Sequence, residues 1–139
     1  MNILKTTLLA ATLFATTPLY AQDSSDITAA RQAAEAWLTQ TDNGQYDESY
    51  AQSAKMFQDS IAKSEWERTI KMVRSPFGAM KDRELKSAEF TRTLPGVPDG
   101  DYVIIQYNTR FENKAKATEV ITPLRGEDGT WRVAGYAIQ

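Results

Sequence analysis

The chain contains neither cysteine nor histidine. Disulfides, thiol nucleophiles, Ser-His-Asp or Cys-His catalysis, and zinc or haem centres built on those side chains are therefore excluded by composition. Charge of one sign is also missing. Sixteen basic residues stand against eighteen acidic ones, a formal charge of −2, which is not the footprint of a nucleic-acid-binding protein. No apolar run reaches the roughly 20 residues needed to cross a bilayer as a helix. What is present is enough apolar material to fold: 42% hydrophobic residues and 10% aromatics over 139 residues predict one globular domain, because a disordered chain is poorer in both.

Residues 1–21 have the pattern of a secretory signal peptide. Lys5 precedes an apolar stretch from Thr6 to Thr17, Pro18 breaks it, and Ala21 is a small residue at a cleavage position. The mature chain is then expected to begin at Gln22, keep no membrane anchor, and be exported.

Residues 22–139 read as a single α+β domain, with three N-terminal helices on a curved four-stranded antiparallel sheet. The first helix is predicted from an N-cap at Asp26, with Ile27, Ala30, Ala34, Trp37 and Leu38 at helical spacing and Asn43-Gly44 as its end. A second follows from Tyr46 through Phe57 to Ile61. A third is predicted from a capping box, Ser64 with Glu67, and ends before Pro76. Near residue 83 the period falls to two. Strands are expected over 83–94, 102–111, 115–125 and 130–138, with Gly135 marking a bulge. The short turns between them, Glu112-Asn113-Lys114 and Gly126-Glu127-Asp128-Gly129, require antiparallel neighbours.

These residues resemble a known group. Ala33-Ala34-Glu35-Ala36-Trp37-Leu38, Asn43-Gly44-Gln45-Tyr46, Trp66, Val73-Arg74-Ser75-Pro76-Phe77-Gly78, Leu94-Pro95-Gly96, Pro98-Asp99-Gly100-Asp101-Tyr102 and Trp131-Arg132-Val133-Ala134-Gly135-Tyr136 are similar, in order, to domain-of-unknown-function family 4019, small exported bacterial proteins. Phe77 and Tyr50 stand where Leu and Trp are commoner in that family, both apolar exchanges. The resemblance implies no activity and no site residues. It implies a fold similar to the cystatin-like cone of nuclear transport factor 2 and ketosteroid isomerase, which hosts enzymes, binders and dimerisation modules alike.

The chemistry-bearing residues are sparse. Ser60-Ile61-Ala62-Lys63 matches the Ser-x-x-Lys element of penicillin-binding proteins, but the companion elements are missing. The acids around Gly100 and Gly129 have turn spacing, not that of a calcium loop, so no metal or cofactor is expected. Glu119, Tyr107 and Tyr136 lie on strands and, with Arg74 at the end of the third helix, are the candidates for contact with a ligand or anion. Tyr102 and Trp131 are candidates for an interface. Residues 63–92 carry eight basic and five acidic groups after a strongly acidic start, so that helices and first strand are expected to pair, or to expose solvated faces. The reading favours a non-catalytic binding or interaction domain for a protein segment or small apolar ligand, with homodimerisation through the sheet. A small enzyme with a carboxylate, Tyr and Arg site in the cone is the alternative.

Overall fold

A computed structural model describes residues 19–139, with side chains described from Asp23 onward. The expected signal segment lies outside the described residues except for its last three positions. Helix α1 spans Leu19–Asp42, α2 Tyr46–Ala51, α3 Lys55–Ser60 and α4 Lys63–Arg74, and a single 3-10 turn covers Ser75–Phe77. Four strands follow, β1 Met80–Thr91, β2 Tyr102–Phe111, β3 Lys114–Arg125 and β4 Trp131–Ile138, in the antiparallel order β1-β2-β3-β4. The α+β class and the strand meander agree with the sequence.

The helices differ in three ways, each with a local cause. Asp26 is not a cap, since α1 runs straight through it and its buried carboxylate accepts a bond from Arg125 instead. The expected second helix is two, because Ala54 adopts an extended backbone and gives its N–H to Val133 O of β4 at 2.8 Å. Gln58 Nε2 fills the break by donating to Tyr50 O at 2.9 Å, where helical bonding would otherwise continue. The capping box does not form: α4 starts two residues early, with Ala62 at its N-cap and no side-chain cap bond. That places Ser64 already inside the helix.

β1 is displaced toward the N-terminus relative to expectation. Its end comes at Thr91, where the Oγ1 hydroxyl bonds Thr93 O at 2.9 Å in a local turn that competes with the ladder. β1 carries two bulges, near Lys81 and Lys86, and β4 one between Val133 and Gly135, where Gly135 predicted it. Bulges of this kind bend a strand and increase its twist.

The inner face of the sheet, with Val103, Ile105, Tyr107, Ile121 and Val133, packs on Ala30, Ala34, Trp37 and Leu38 of α1 and on Phe57, Trp66 and Ile70. The two alanines, fully buried, let the α1 backbone approach the strands. The indoles occupy the space between the layers. Trp37 and Trp66 lie 5.5 Å apart, with Phe57 edge-on to Trp66 at 5.1 Å. Each indole N–H is satisfied: Trp37 donates to Ser49 O and Ser53 Oγ, both at 2.9 Å, and Trp66 to Tyr46 O at 3.2 Å. A buried aromatic of this size whose polar atom is paired contributes the full benefit of its apolar area.

Candidate functional site

Where α1, α4 and the sheet converge, charge is buried. Asp42 is the last residue of α1, Arg74 the last of α4, Arg83 points inward from β1, and Glu119 inward from β3. Arg83 Nη1 donates to Asp42 Oδ2 at 2.7 Å, and its Nε donates to Glu119 Oε1 at 2.8 Å. Arg74 Nη2 reaches Asp42 Oδ1 at 2.7 Å. Two guanidinium groups and two carboxylates thus alternate in one chain, balanced in charge. Burial lowers the pKa of Arg83, but its bonds to Asp42 and Glu119 outweigh this and the net shift is upward, so it stays cationic.

Glu119 has no exposed surface, and every lone-pair direction of its carboxylate is used. Besides two N–H groups of Arg83, it accepts the hydroxyl of Thr109 at 2.5 Å and that of Tyr136. A carboxylate offers about four acceptor positions, and four donors fill them. Burial, then the Glu119 charge, raise the Tyr136 pKa well above the ordinary phenol value, so Tyr136 remains a hydrogen-bond donor. Such a group is held, not poised: no acceptor site is left on Glu119 for a substrate proton.

Of the four residues that the sequence singled out for ligand contact, the fold joins Glu119 and Tyr136 directly and brings Arg74 in through Asp42. Tyr107 stands apart. Its hydroxyl makes no well-formed hydrogen bond among the described residues, and burial raises its pKa, with the Glu35 charge reinforcing and the nearby Arg31 guanidinium opposing the shift. Asp42, Arg83 and Thr109 were missed. Arg83 stands opposite Thr109, on the face that β2 turns to the core, but bulges in β1 break the alternation that would have marked it. Asp42 had no signal either, because its role depends on where α1 ends.

Tyr102 and Trp131 do not form an exposed aromatic surface. Tyr102 is 1% exposed beneath the loop before β2 and donates to Pro98 O at 2.6 Å, and Trp131 is 8% exposed in the core cluster with Arg125 over its ring. Their apolar area is consumed within the chain. The large hydrophobic side chains that are exposed among the described residues, Met72, Leu85 and Val97, lie apart, on α4, on β1 and in the loop before β2.

A second ionic cluster ties the far end of the domain. Arg125 bonds Asp26 of α1 at 3.2 Å and also Asp101, which Arg92 approaches at 3.4 Å. Beside the first cluster is a cleft of about 230 Å³ lined by Thr41, Asp42, Tyr46, Arg74, Ser75, Gly78 and Ala79. Among the described residues no group of acids is placed to hold a metal ion, and no helix is long and apolar enough to cross a membrane.

These features define a two-layer α+β domain whose most elaborate polar constellation is internal. Residues 33–136 match the family of proteins of unknown function designated DUF4019, most of the chain, and the chain belongs to that family. No curated protein and no solved structure matches it.

Proposed function

We propose that residues 22–139 form an exported, non-catalytic binding or protein-interaction domain of the bacterial periplasm. The observation that carries this reading is the saturation of Glu119. The one carboxylate that shares the interior with Tyr136 and an arginine is bonded on all sides and sealed. The space between helices and sheet, where a cone-shaped fold similar to nuclear transport factor 2 would hold a substrate, is occupied by Trp37, Trp66 and Phe57. An enzyme of this design needs an open pocket and a base with a free lone pair. Export is supported by the Lys5, apolar stretch, Pro18 and Ala21 pattern.

The test is expression of the full chain in a bacterial host, with fractionation, N-terminal sequencing and native mass spectrometry of the periplasmic product. A chain starting at Gln22 that carries a stoichiometric small molecule or a protein partner is expected. An unprocessed chain confined to the cytoplasm, or a processed chain that never carries an adduct, overturns the proposal.

A further inference from the structure

The face of the sheet turned away from the helices carries a charged hollow. Thr109 of β2 and Ala117 of β3 are buried and point inward, so Asn108, Arg110, Lys116 and Thr118 point outward by strand alternation. On β1, Asp82 stands opposite Arg110 and Glu84 opposite Asn108, and Thr118 of β3 flanks Asn108 on its other side. These six side chains border a hollow of about 460 Å³, within the size range of small-molecule sites. Opposite charges that face each other across strands attract and tend to pair. Here they do not: among the described residues Asp82, Glu84, Arg110 and Lys116 make no ion pair and no side-chain hydrogen bond. Elsewhere on the surface such neighbours close, Lys55 with Asp59 and Arg68 with Glu65 both at 2.6 Å. A bulge near Lys81 and a register shift between Thr109 and Phe111 bound the hollow, and irregularities of this kind re-aim side chains. The floor is fixed from beneath. Thr109 donates to Glu119 at 2.5 Å, and Arg83, between Asp82 and Glu84, is tied on the inner side to Glu119 and Asp42. The sealed network thereby holds the strands under the hollow in one geometry, the support that a preorganised site requires.

We propose that this hollow is a binding site for a short zwitterionic peptide, its terminal ammonium held by Asp82 and Glu84 and its terminal carboxylate by Arg110 and Lys116. The inference rests on the binding reading above and gives it a site and a ligand class. The separation of the charges sets the length of the ligand. β1 and β3 are two strand spacings apart, about 10 Å. Three extended residues, at roughly 3.3–3.6 Å each, cover the same distance. Two carboxylates supply acceptors for the three N–H bonds of an ammonium, and the planar fork of Arg110 matches a carboxylate. Between the ends, the Asn108 amide and the Thr118 hydroxyl both donate and accept, as a peptide group requires. Placing the two signs on opposite sides also selects, because a lone anion or a lone cation is repelled by one side while the other attracts it. All four charged groups are exposed, so screening keeps the affinity weak, on the order of 0.1–1 mM, and salt lowers it further.

The experiment is an NMR titration of the 15N-labelled chain, as its expression host processes it, with trialanine at pH 7 and low salt. N-acetyl-trialanine, trialanine amide and free alanine are the comparisons. Trialanine is expected to give saturable shifts at Asn108, Arg110 and Thr118, and blocking either end should weaken binding about fivefold. Asp82→Asn with Glu84→Gln should remove the penalty for N-acetylation and keep the penalty for the amide. Arg110→Gln with Lys116→Gln should do the reverse. Both double variants alter exposed side chains and should keep the parent's thermal midpoint. Absence of saturable shifts, equal binding of all four probes, or double variants that bind as the parent does overturns the site. If shifts are absent while native mass spectrometry still finds an adduct, this site falls and the binding reading stands.

Discussion

Arg83 and Asp42, forty-one positions apart in the chain, are joined by two hydrogen bonds, Nη1 to Oδ2 at 2.7 Å and Nη2 to Oδ1 at 3.0 Å. This paired contact fastens the end of α1 to the edge strand β1. Its partners are nearly sealed, at 12% side-chain exposure each. Removing one member of a buried pair leaves the other charge uncompensated, which costs far more than the pair itself contributes. Arg83→Met, which strands both Asp42 and Glu119, should destabilise the domain by about 3–5 kcal/mol in urea unfolding. Arg125→Met removes a more exposed guanidinium but leaves the buried Asp26 carboxylate without it, and should cost less, about 1–3 kcal/mol.

The saturation of Glu119 makes a different prediction. Glu119→Gln keeps the shape but presents an amide to hydroxyl and guanidinium donors, so that at least one donor faces another. A loss of about 2–3 kcal/mol is expected from a buried hydrogen-bonding group left unmet. Thr109→Val removes a donor from the same carboxylate and should cost less. If Glu119→Gln unfolds at the parent's urea midpoint, the network is not structural.

Alkaline pH tests Tyr136. Its folded pKa lies above the ordinary phenol value of 10.0 because burial and then Glu119 disfavour the phenolate. As pH passes 10 the unfolded chain releases this proton while the folded chain keeps it. Stability is therefore full below pH 10 and falls as pH rises toward the folded value. Urea midpoints at pH 8, 10 and 11.5 should decline more steeply for the parent than for Tyr136→Phe. The phenolate absorbance near 295 nm should report Tyr136 ionising only as the fold opens.

Gly78→Ala should lower stability by about 1–3 kcal/mol, from the positive φ and the close approach of Glu112 together. Gly129→Ala also changes a positive-φ glycine, but nothing lies within 4 Å of the added methyl group. It should cost about 1 kcal/mol. Differential scanning calorimetry of the two variants separates crowding from backbone preference.

The sequence made the centre of the sheet legible because buried side chains repeat every second residue, as in Val103, Ile105, Tyr107, Thr109 and Phe111 of β2 and Ala117, Glu119, Ile121 and Pro123 of β3. That alternation is set by the pleat and survives any detail of packing. The helix boundaries were less legible because tertiary bonds decide them. The break at Ala54 exists for a carbonyl on β4, and Asp26 turns from cap to ion-pair partner because Arg125, ninety-nine positions away, reaches it. The site was half legible for the same reason. Glu119 and Tyr136 stand out as polar groups on a core-facing period, whereas Asp42 enters only once α1 has been laid across the sheet. Tyr102 and Trp131 misled because surplus aromatics on strands look like an interface until the loop before β2 and the guanidinium of Arg125 are seen to cover them.

Helix α1 carries Asp26 near one end and Asp42 at the other, about 24 Å apart along its axis. It works as a tie-beam bolted at two points, and the distance between the bolts is set by residue count. Adding a single residue between them would swing one carboxylate by about 100° around the axis relative to the other, so that both rivets cannot seat together. Evolution is free to lengthen the stretch between Thr93 and Gly100 on the surface, but the tally of residues from Asp26 to Asp42 is locked.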